Sequence, residues 1–439
     1  MTELFEGSYT PPAEPEKTDD GIEHVNIRIC VFFDGTSNNR VNTESRIKNL
    51  DSYKKDEAKH KKESDSYEND YTNVAKMEPH VNITEPAQGY KHVLKTYIEG
   101  PGTDDNESDS MVGYGMGLGN SGIRAKVKKG LLNVAYRTAK KLSDPKIVID
   151  LLTIDVFGFS RGAAGARNFI HEGLFGDNSI KTLLTDKNYT LTKIEVCFAG
   201  LYDTVSSHGL IFSNDTATLS LDAIENAKSV LHLVAAEEHR ENFSLTDIKS
   251  SKAQGREIYL PGVHSDVGGS YRNGTPEGQV LYEGSDVKFA TAYRSLLLDV
   301  GWGTEDEITL KDFSTMDSDF VRLSVMRPAL SHHYSKIPLN LMARAARNKG
   351  IVFKDEIERE VKMPKDLPEL ATAQEKVDAY IDSATSKAPA EEQAAHWLNN
   401  KEPWLKALRH KHLHLSSREE FGLKPRFKNG QRYRQTYDG

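Results

Sequence analysis

A glycine–serine–glycine segment is the part of the sequence best suited to nucleophilic chemistry. Ser160 lies in Gly158-Phe-Ser-Arg-Gly162, between the apolar run Ile147–Phe157 and a segment rich in small residues. A sharp strand-to-helix turn of this kind exposes a serine hydroxyl, and the glycines allow the backbone to pack closely. The N–H of Arg161 is then placed to stabilise an oxyanion. The segment predicts a nucleophilic serine; the alternative is a serine that caps a helix in a tight turn.

A serine nucleophile needs a base and an acid that orients the base. Two later segments supply these residues in the chain order serine, acid, histidine. Asp203 follows a predicted strand, and His264 lies in a glycine-containing loop directly after another. Asp266 is an alternative acid, because in an extended backbone its side chain points the same way as that of His264. The non-catalytic alternatives are an Asx turn for Asp203 and a hydrogen-bonded core histidine for His264.

The loop after the first predicted strand is the candidate source of a second oxyanion donor. Phe33-Asp-Gly-Thr36 ends that strand in a turn-forming sequence, and the backbone N–H of Gly35 or Thr36 is suited to the role. Asp34 is acidic and close to the expected oxyanion. We therefore assign it to holding its own loop, with metal binding as a less favoured alternative.

Two further patterns suggest a metal or a cofactor, and we reject both. The run Arg409–Leu415 has histidines at alternating positions but no carboxylate or cysteine beside them, so we predict no metal site there. Gly117-x-Gly-x-x-Gly122 matches the dinucleotide-binding pattern, but the polar stretch 104–110 precedes it instead of a strand. We interpret the glycine-rich stretch 112–122 as a loop beside the site. The predicted chemistry needs no cofactor.

Composition excludes several classes of protein. The 439 residues include 57 basic and 65 acidic side chains, a net charge of -8, which argues against a protein held on nucleic acid or anionic lipid by bulk charge. No apolar run approaches the roughly 18 residues of a membrane span. The N-terminus lacks the apolar core of a signal peptide. Cys30 and Cys197, the two cysteines, are interpreted as buried reduced thiols.

Strands that alternate with helices predict the architecture that positions the candidate residues. Apolar or alternating runs bounded by turn residues predict strands at Val25–Phe33, His92–Ile98, Ile147–Phe157, Lys193–Ala199 and Arg256–Leu260. Helical periodicity predicts helices at Ile123–Leu142, after Ser160, around Ala223–Glu238 and at 338–350. This order predicts an α/β fold with a mostly parallel sheet flanked by helices.

Composition shifts along the chain predict three parts. Residues 1–22 are rich in proline and acidic side chains and are predicted to be a disordered arm. Residues 23–350 would form the catalytic domain, with a charged insertion at about 51–72. Residues 351–439 are predicted to be a helical extension packed on the core.

Six ordered motifs resemble one known family of hydrolases. They are Phe32-Phe-Asp-Gly-Thr-x-Asn-Asn39, Gly100-Pro-Gly-Thr103, the glycine-rich stretch before a helix, Val156-Phe-Gly-Phe-Ser-Arg-Gly-Ala163, Tyr202-Asp-Thr-Val205 and Pro261-Gly-Val-His-Ser-Asp-Val-Gly-Gly269. The family includes the phospholipase effectors of bacterial type VI secretion. The resemblance covers about residues 25–350.

The resemblance implies an α/β-hydrolase fold with a triad of Ser160, Asp203 and His264. It implies hydrolysis of the acyl ester of membrane glycerophospholipids by a phospholipase A type enzyme. It also implies synthesis in a bacterial cytoplasm and delivery to the periplasm or membrane of a target cell. Members are often carried by a secretion spike protein, and an immunity protein protects the producer.

Two alternative functions stay open at the sequence level. One is a serine esterase or amidase that acts on a soluble substrate, and the other is a catalytically inactive binding protein with a hydrolase fold. A lipase needs apolar surface around its cleft. The helix at 338–350, with Leu339, Leu341, Met342 and Ala345, is one candidate for that rim, and a core-facing helix is the alternative.

Overall fold

A computed structural model describes residues 9–15, 21–60, 65–85, 87–110, 121–206, 216–315 and 320–439. The interpretation of the glycine-rich stretch as a loop beside the site falls almost wholly outside these residues. Within them, no helix is both long and apolar enough to cross a membrane.

A six-stranded parallel sheet forms the centre of the molecule. Its strand order is β2-β1-β3-β4-β5-β7. These strands are β1 (His24–Phe33), β2 (His92–Ile98), β3 (Val148–Phe159), β4 (Thr190–Tyr202), β5 (Ala227–Ala235) and β7 (Gly255–Leu260). The short β6 (Leu245–Thr246) pairs with the last strand, β13 (Thr436–Tyr437). A separate antiparallel sheet contains β8 (Thr275–Gly284), β9 (Ile308–Asp312) and β10 (Val321–Leu330), and β11 (Arg426–Lys428) pairs with β12 (Gln431–Tyr433).

The sheet divides the apolar core into two parts. In β1, Ile29 and Val31 contribute to the core on one face, whereas Cys30 and Phe32 contribute to the core on the other. This division follows from the two-residue period of a strand. Cys30 and Cys197 are both buried and free, as the sequence predicts.

Helices cover both faces of the sheet. One core includes α5 (Ile123–Leu142), α6 (Arg161–Phe175) and α7 (Ile180–Thr185). The other includes α10 (Lys336–Asn348), α12 (Pro368–Asp382), α13 (Ala390–Leu398) and α14 (Pro403–His412), together with β8–β10. Shorter helices are α1 (Arg40–Ile47), α2 (Asp51–His60), α3 (Asp65–Glu68), α4 (Asn73–Met77), α8 (His264–Gly268), α9 (Val287–Asp299) and α11 (Ile357–Val361). The predicted α/β fold, a mostly parallel sheet flanked by helices, is confirmed.

The predicted helix at 223–238 is wrong. A short 3₁₀ helix (Leu221–Asn226) is followed there by β5, which lies between β4 and β7. Eight of its nine residues are buried, since an inner strand of such a sheet is covered on both faces. Apolar side chains at successive positions then remove the two-residue alternation by which a strand is identified. Some of them also have the spacing of an apolar helix face.

Of the two interpretations of the helix at 338–350, the structure supports the core-facing helix and not the cleft rim. Leu339, Leu341, Met342 and Ala345 are fully buried in the core. They pack beneath the sheet because the apolar face of α10 is needed to cover it.

Chain segments at both ends of the sequence contact the core. The hydroxyl of Tyr9 lies 3.1 Å from that of Tyr90. Trp397 of α13 donates to the carbonyl of Tyr259 at 2.8 Å, and Arg409 of α14 donates to Glu237 at 2.7 Å in a buried ion pair. The division into arm, catalytic domain and extension stays a prediction.

Candidate active site

The candidate residues lie at the carboxyl edge of the parallel sheet. Ser160 directly follows β3, Asp203 follows β4, and His264 comes four residues after the end of β7. The open side of this edge is a cleft of about 780 Å³, bordered by Thr36, Ser160, Arg161 and His264. Ligands of open α/β sheets bind at such an edge, because loops from several strands converge there.

Ser160 sits in a strained strand-to-helix turn. Its φ and ψ are 58° and −128°, a region that residues with a side chain rarely adopt. The turn is held by the N–H of Ser160, which donates to the carbonyl of Tyr202 at 3.0 Å. A Cβ atom on Gly162 would lie 2.1 Å from the carbonyl oxygen of Asp34, and one on Gly158 would lie 2.5 Å from Ala163 Cα. The two glycines therefore let this turn pack against its neighbours.

Asp203 and His264 form a buried pair. His264 Nδ1 lies 2.5 Å from Asp203 Oδ2. The imidazole packs between the rings of Phe159 and Phe243, with centroid distances of 4.6 and 5.1 Å. The N–H of Ala235 donates to Asp203 Oδ1 at 2.9 Å. The acid contact fixes the proton on Nδ1 and leaves Nε2 as the basic nitrogen.

Charges around the pair set its protonation. Burial alone would raise the pKa of Asp203, but the charge of Arg434 and the hydrogen bond from His264 outweigh burial and hold that pKa far below its ordinary range. Burial lowers the pKa of His264, and the contact with Asp203 offsets this only in part. The pair therefore consists of a carboxylate and a neutral imidazole near neutral pH.

Ser160 and His264 border the same cleft. In the part of the chain that the structure describes, no hydrogen bond joins the Ser160 hydroxyl to the His264 ring. Such contacts are often long before substrate binds and shorten in the complex.

The loop after β1 is held by Asp34, as its position predicts. Asp34 accepts hydrogen bonds from the N–H of Gly35 at 2.8 Å, the hydroxyl of Thr72 at 2.7 Å and the hydroxyl of Tyr97 at 2.5 Å. Burial raises the pKa of Asp34 to about 6, against the effect of these hydrogen bonds. The N–H of Gly35 is thus engaged, whereas Thr36 borders the cleft beside Arg161.

Asp266, the alternative acid, contacts a different histidine. Its carboxylate lies 2.7 Å from His414 Nδ1 and accepts from the N–H groups of His414 and Val263, each at 3.0 Å. The other two histidines of that run have other surroundings: His410 contacts Glu307 at 2.8 Å, and His412 is buried. Among the described residues, no cluster of three or more His, Cys, Asp or Glu side chains is arranged to hold a metal ion.

The sequence analysis missed Arg434. Its two terminal nitrogens donate to the two oxygens of Asp203, at 2.6 and 2.9 Å. The contact spans 231 positions of the chain, and the segment that carries Arg434 has no motif. An arginine in a polar tail gives no sign of its partner, so only the tertiary structure identifies it.

The fold and the arrangement at its carboxyl edge define the α/β-hydrolase class. Residues 177–290 match the model of a family described as type VI secretion, phospholipase effector Tle1-like, catalytic domain. This range includes Asp203 and His264 and begins after Ser160. The match confirms the resemblance to type VI secretion phospholipase effectors that the sequence motifs predict.

A solved structure shows the same fold. The Tle1 effector bound to the VgrG spike from the type 6 secretion system superposes with a TM-score of 0.66 at 21% identity, over 99% of this chain and 100% of that chain. An uncharacterized protein from Pseudomonas aeruginosa gives a TM-score of 0.43 at 18% identity, over 86% of this chain and 53% of that chain. No curated protein sequence matches the chain.

Proposed function

We propose that this protein is a serine hydrolase that cleaves an acyl ester of membrane glycerophospholipids and acts as an antibacterial effector of type VI secretion. One observation carries the proposal. Ser160, in a strained strand-to-helix turn, shares a cleft with His264, and the Nδ1 atom of His264 contacts the buried carboxylate of Asp203. The family match at residues 177–290 supports the phospholipase assignment.

Each residue has a defined part in the proposed reaction. Ser160 Oγ attacks the carbonyl carbon of the ester while Nε2 of His264 takes the hydroxyl proton. Asp203 holds the imidazole by its Nδ1–H and stabilises the imidazolium that forms. The proton then passes to the leaving alcohol, and water releases the acid from the acyl-enzyme by the same route.

The oxyanion of the tetrahedral intermediate requires two donors. We assign these to the backbone N–H groups of Arg161, at the start of α6, and of Thr36. The positive end of the helix dipole adds to the first donor. We prefer Thr36 to Gly35 because the N–H of Gly35 already donates to Asp34.

An exposed aromatic side chain supports a lipid substrate. Phe421 borders the cleft and is 91% exposed. An apolar ring in this position has no partner in water and gains free energy by entering the interfacial region of a bilayer. We propose that Phe421 contacts the membrane while the lipid ester enters the cleft.

The same comparison supports a proposal about delivery. The Tle1 effector, whose fold this chain shares, is bound to a VgrG spike. We propose that a secretion spike likewise carries this protein out of the cell that makes it, and that an immunity protein protects that cell.

Labelling with a fluorophosphonate tests the assignment of the nucleophile. The reagent reacts with a serine only when a base activates its hydroxyl, so we expect one label per chain, on the peptide that contains Ser160. His264→Ala is expected to slow labelling by several orders of magnitude. Ser265→Ala is the matched control, because Ser265 also borders the cleft, and it is expected to label normally. A label on another serine, or unchanged labelling of His264→Ala, contradicts the proposal.

A further inference from the structure

The final residues of the described chain form a strap that reaches the candidate triad. The strap comprises residues 434–439. Its strand β13 pairs in parallel with β6, and the carbonyl of Gln435 accepts from the N–H of Leu245 at 2.8 Å. The N–H of Asp247 donates to the carbonyl of Tyr437 at 3.0 Å. The backbone of the strap is therefore fixed against the segment that follows β5.

One side chain of the strap contacts Asp203 and also the backbone of the residue whose ring packs against His264. The Arg434 fork donates to both carboxylate oxygens of Asp203. Its Nε donates to the carbonyl of Phe243 at 2.7 Å, and the ring of Phe243 packs against the imidazole of His264. A planar guanidinium with fixed donors holds a carboxylate in one orientation, which a single point charge does not.

Burial makes the charge of Arg434 important. The side chain of Asp203 is fully buried and that of Arg434 is 7% exposed. A buried carboxylate beside a neutral histidine would take up a proton unless a cation compensated it. Arg434 supplies that cation, and a carboxylate is the form of Asp203 that orients the His264 Nδ1–H.

We propose that Arg434 is a positioning residue of the hydrolase: it keeps Asp203 ionised and oriented, limits the basicity of His264, and makes seating of strap 434–439 a condition for activity. The proposal rests on the proposed function, because it assigns Arg434 to the same triad. Arg434 acts through Asp203 and does not contact the substrate.

The effect on His264 has a definite sign. The charged groups with the largest effect on His264 are Asp203, Arg240 and Glu238, and Arg434 lies behind Asp203. Asp203 and Glu238 favour the imidazolium, whereas Arg240 opposes it. Removal of the Arg434 charge leaves the negative charge of the Asp203–His264 pair less compensated, so the pair as a whole should take up its first proton at a higher pH. The acidic limb of the pH profile would then move to higher pH.

Three substitutions separate charge from orientation. Arg434→Met removes both, and we expect kcat for a short soluble ester to fall on the order of 10- to 100-fold. The acidic limb of kcat/KM should rise by on the order of one pH unit. Arg434→Lys keeps the charge but loses the fork, so kcat should fall while the limb stays in place. Arg432→Met is the matched control: Arg432 lies two residues away over the ring of Trp302, and its loss should leave the limb unchanged.

Two further measurements strengthen the test. The first asks whether Arg434 acts through Asp203, and the second needs no turnover. In an Asp203→Asn background, Arg434→Met should change kcat little, because the two residues act as a unit. An NMR titration of His264 in the full chain, with the signal assigned by His264→Gln, should show the same upward shift even if the wild type hydrolyses no ester.

Some results would overturn the proposal. One such result is a folded Arg434→Met variant in which His264 titrates as it does in the wild type. If Arg434→Met does not fold, wild-type kcat in Arg434→Lys would be decisive, since it would show that the fork positions nothing. A wild type without esterase activity but with the expected shift in Arg434→Met would contradict the proposed function and leave the electrostatic role of Arg434 standing.

Discussion

Burial and pairing decide the charge of each candidate catalytic group. Asp203 is fully buried but has two cationic or proton-donating partners, Arg434 and His264, so it stays ionised. Asp34 is also buried, and its hydrogen bonds come from the neutral groups of Gly35, Thr72 and Tyr97. Burial therefore raises its pKa to about 6. The residue type alone therefore does not tell which aspartate orients a histidine and which holds a loop; the partners decide this.

The pH profile of a soluble-ester reaction tests the state of His264. The base is active when it is neutral, so kcat/KM falls as pH drops through its pKa. Because burial lowers that pKa below its ordinary value of 6.5, we expect half-maximal kcat/KM below pH 6.5. Asp203→Asn should lower the plateau by on the order of 10⁴-fold. A midpoint above 6.5 in the wild type would contradict this account of the base.

The sequence alone predicts that most residues of the candidate site lie at one edge of the sheet. Ser160, Asp203 and His264 each follow a strand within a glycine-containing or turn-forming segment, and parallel strands bring such segments to one edge. The choice between Asp203 and Asp266 could not be made from the sequence, because Asp266 lies two residues from His264, whereas Asp203 follows a strand predicted to end at the same sheet edge. Asp266 contacts His414, which is 148 positions away, and no local pattern indicates that contact.

The turn between β3 and α6 is the element on which the proposed chemistry depends. It holds Ser160 at a positive φ while the start of α6 packs against the end of β1. The close approach leaves no room for a side chain at Gly162. Later in the same helix, Gly165 has ordinary space around it: a Cβ atom there would lie 3.7 Å from the nearest atom, in Phe33.

Two glycine substitutions in α6 test this difference. Gly162→Ala places a methyl group against the Asp34 carbonyl, so we expect the free energy of unfolding to fall by about 3 kcal/mol and hydrolysis to be lost. Gly165→Ala should retain activity and raise stability by up to about 1 kcal/mol, because alanine favours a helix interior. Denaturant unfolding and ester hydrolysis of both variants measure the effect. Equal behaviour of the two would contradict the packing that we assign to the turn.

Elements were predictable where the pattern had a clear period. The bounds of β2 and α5 agree with the sequence prediction, and β1 and β7 differ from it by one residue. The error at 223–238 came from β5, where burial on both faces removes the alternation that identifies a strand. An inner strand of a parallel sheet is therefore the element that sequence periodicity identifies least well.

In the molecule as a whole, the region after residue 350 is joined to the core around the parallel sheet. Buried contacts link Trp397 to Tyr259 and Arg409 to Glu237, and Arg434 reaches Asp203. The motifs that we recognised end near residue 350, so the sequence indicated a packed extension but not its contact with the triad. Contacts between such distant residues depend on the complete fold, which local patterns do not encode.

Substitution of Phe421, the exposed ring at the cleft, distinguishes a lipid substrate from a soluble one. Phe421→Ala should lower hydrolysis of phospholipid vesicles by about tenfold or more, since burial of a phenylalanine ring contributes about 1.5–3 kcal/mol. Hydrolysis of a short soluble ester should not change. Phe175→Ala is the matched control, because Phe175 is also exposed but does not border the cleft. Membrane contact by Phe421 would be contradicted if Phe421→Ala lost as much activity on the soluble ester as on vesicles. It would also be contradicted if Phe175→Ala lost as much vesicle hydrolysis as Phe421→Ala.

Release of fatty acid from phospholipid vesicles tests the central claim most directly. The wild-type chain is compared with Ser160→Ala at equal concentration, after circular dichroism has shown that both are folded. We predict release by the wild type and a loss of several orders of magnitude in the variant, as expected when a nucleophile is removed. Equal release by both would contradict the assignment of Ser160. No release by the wild type, together with full turnover of soluble esters, would contradict the proposal that the protein is a phospholipase.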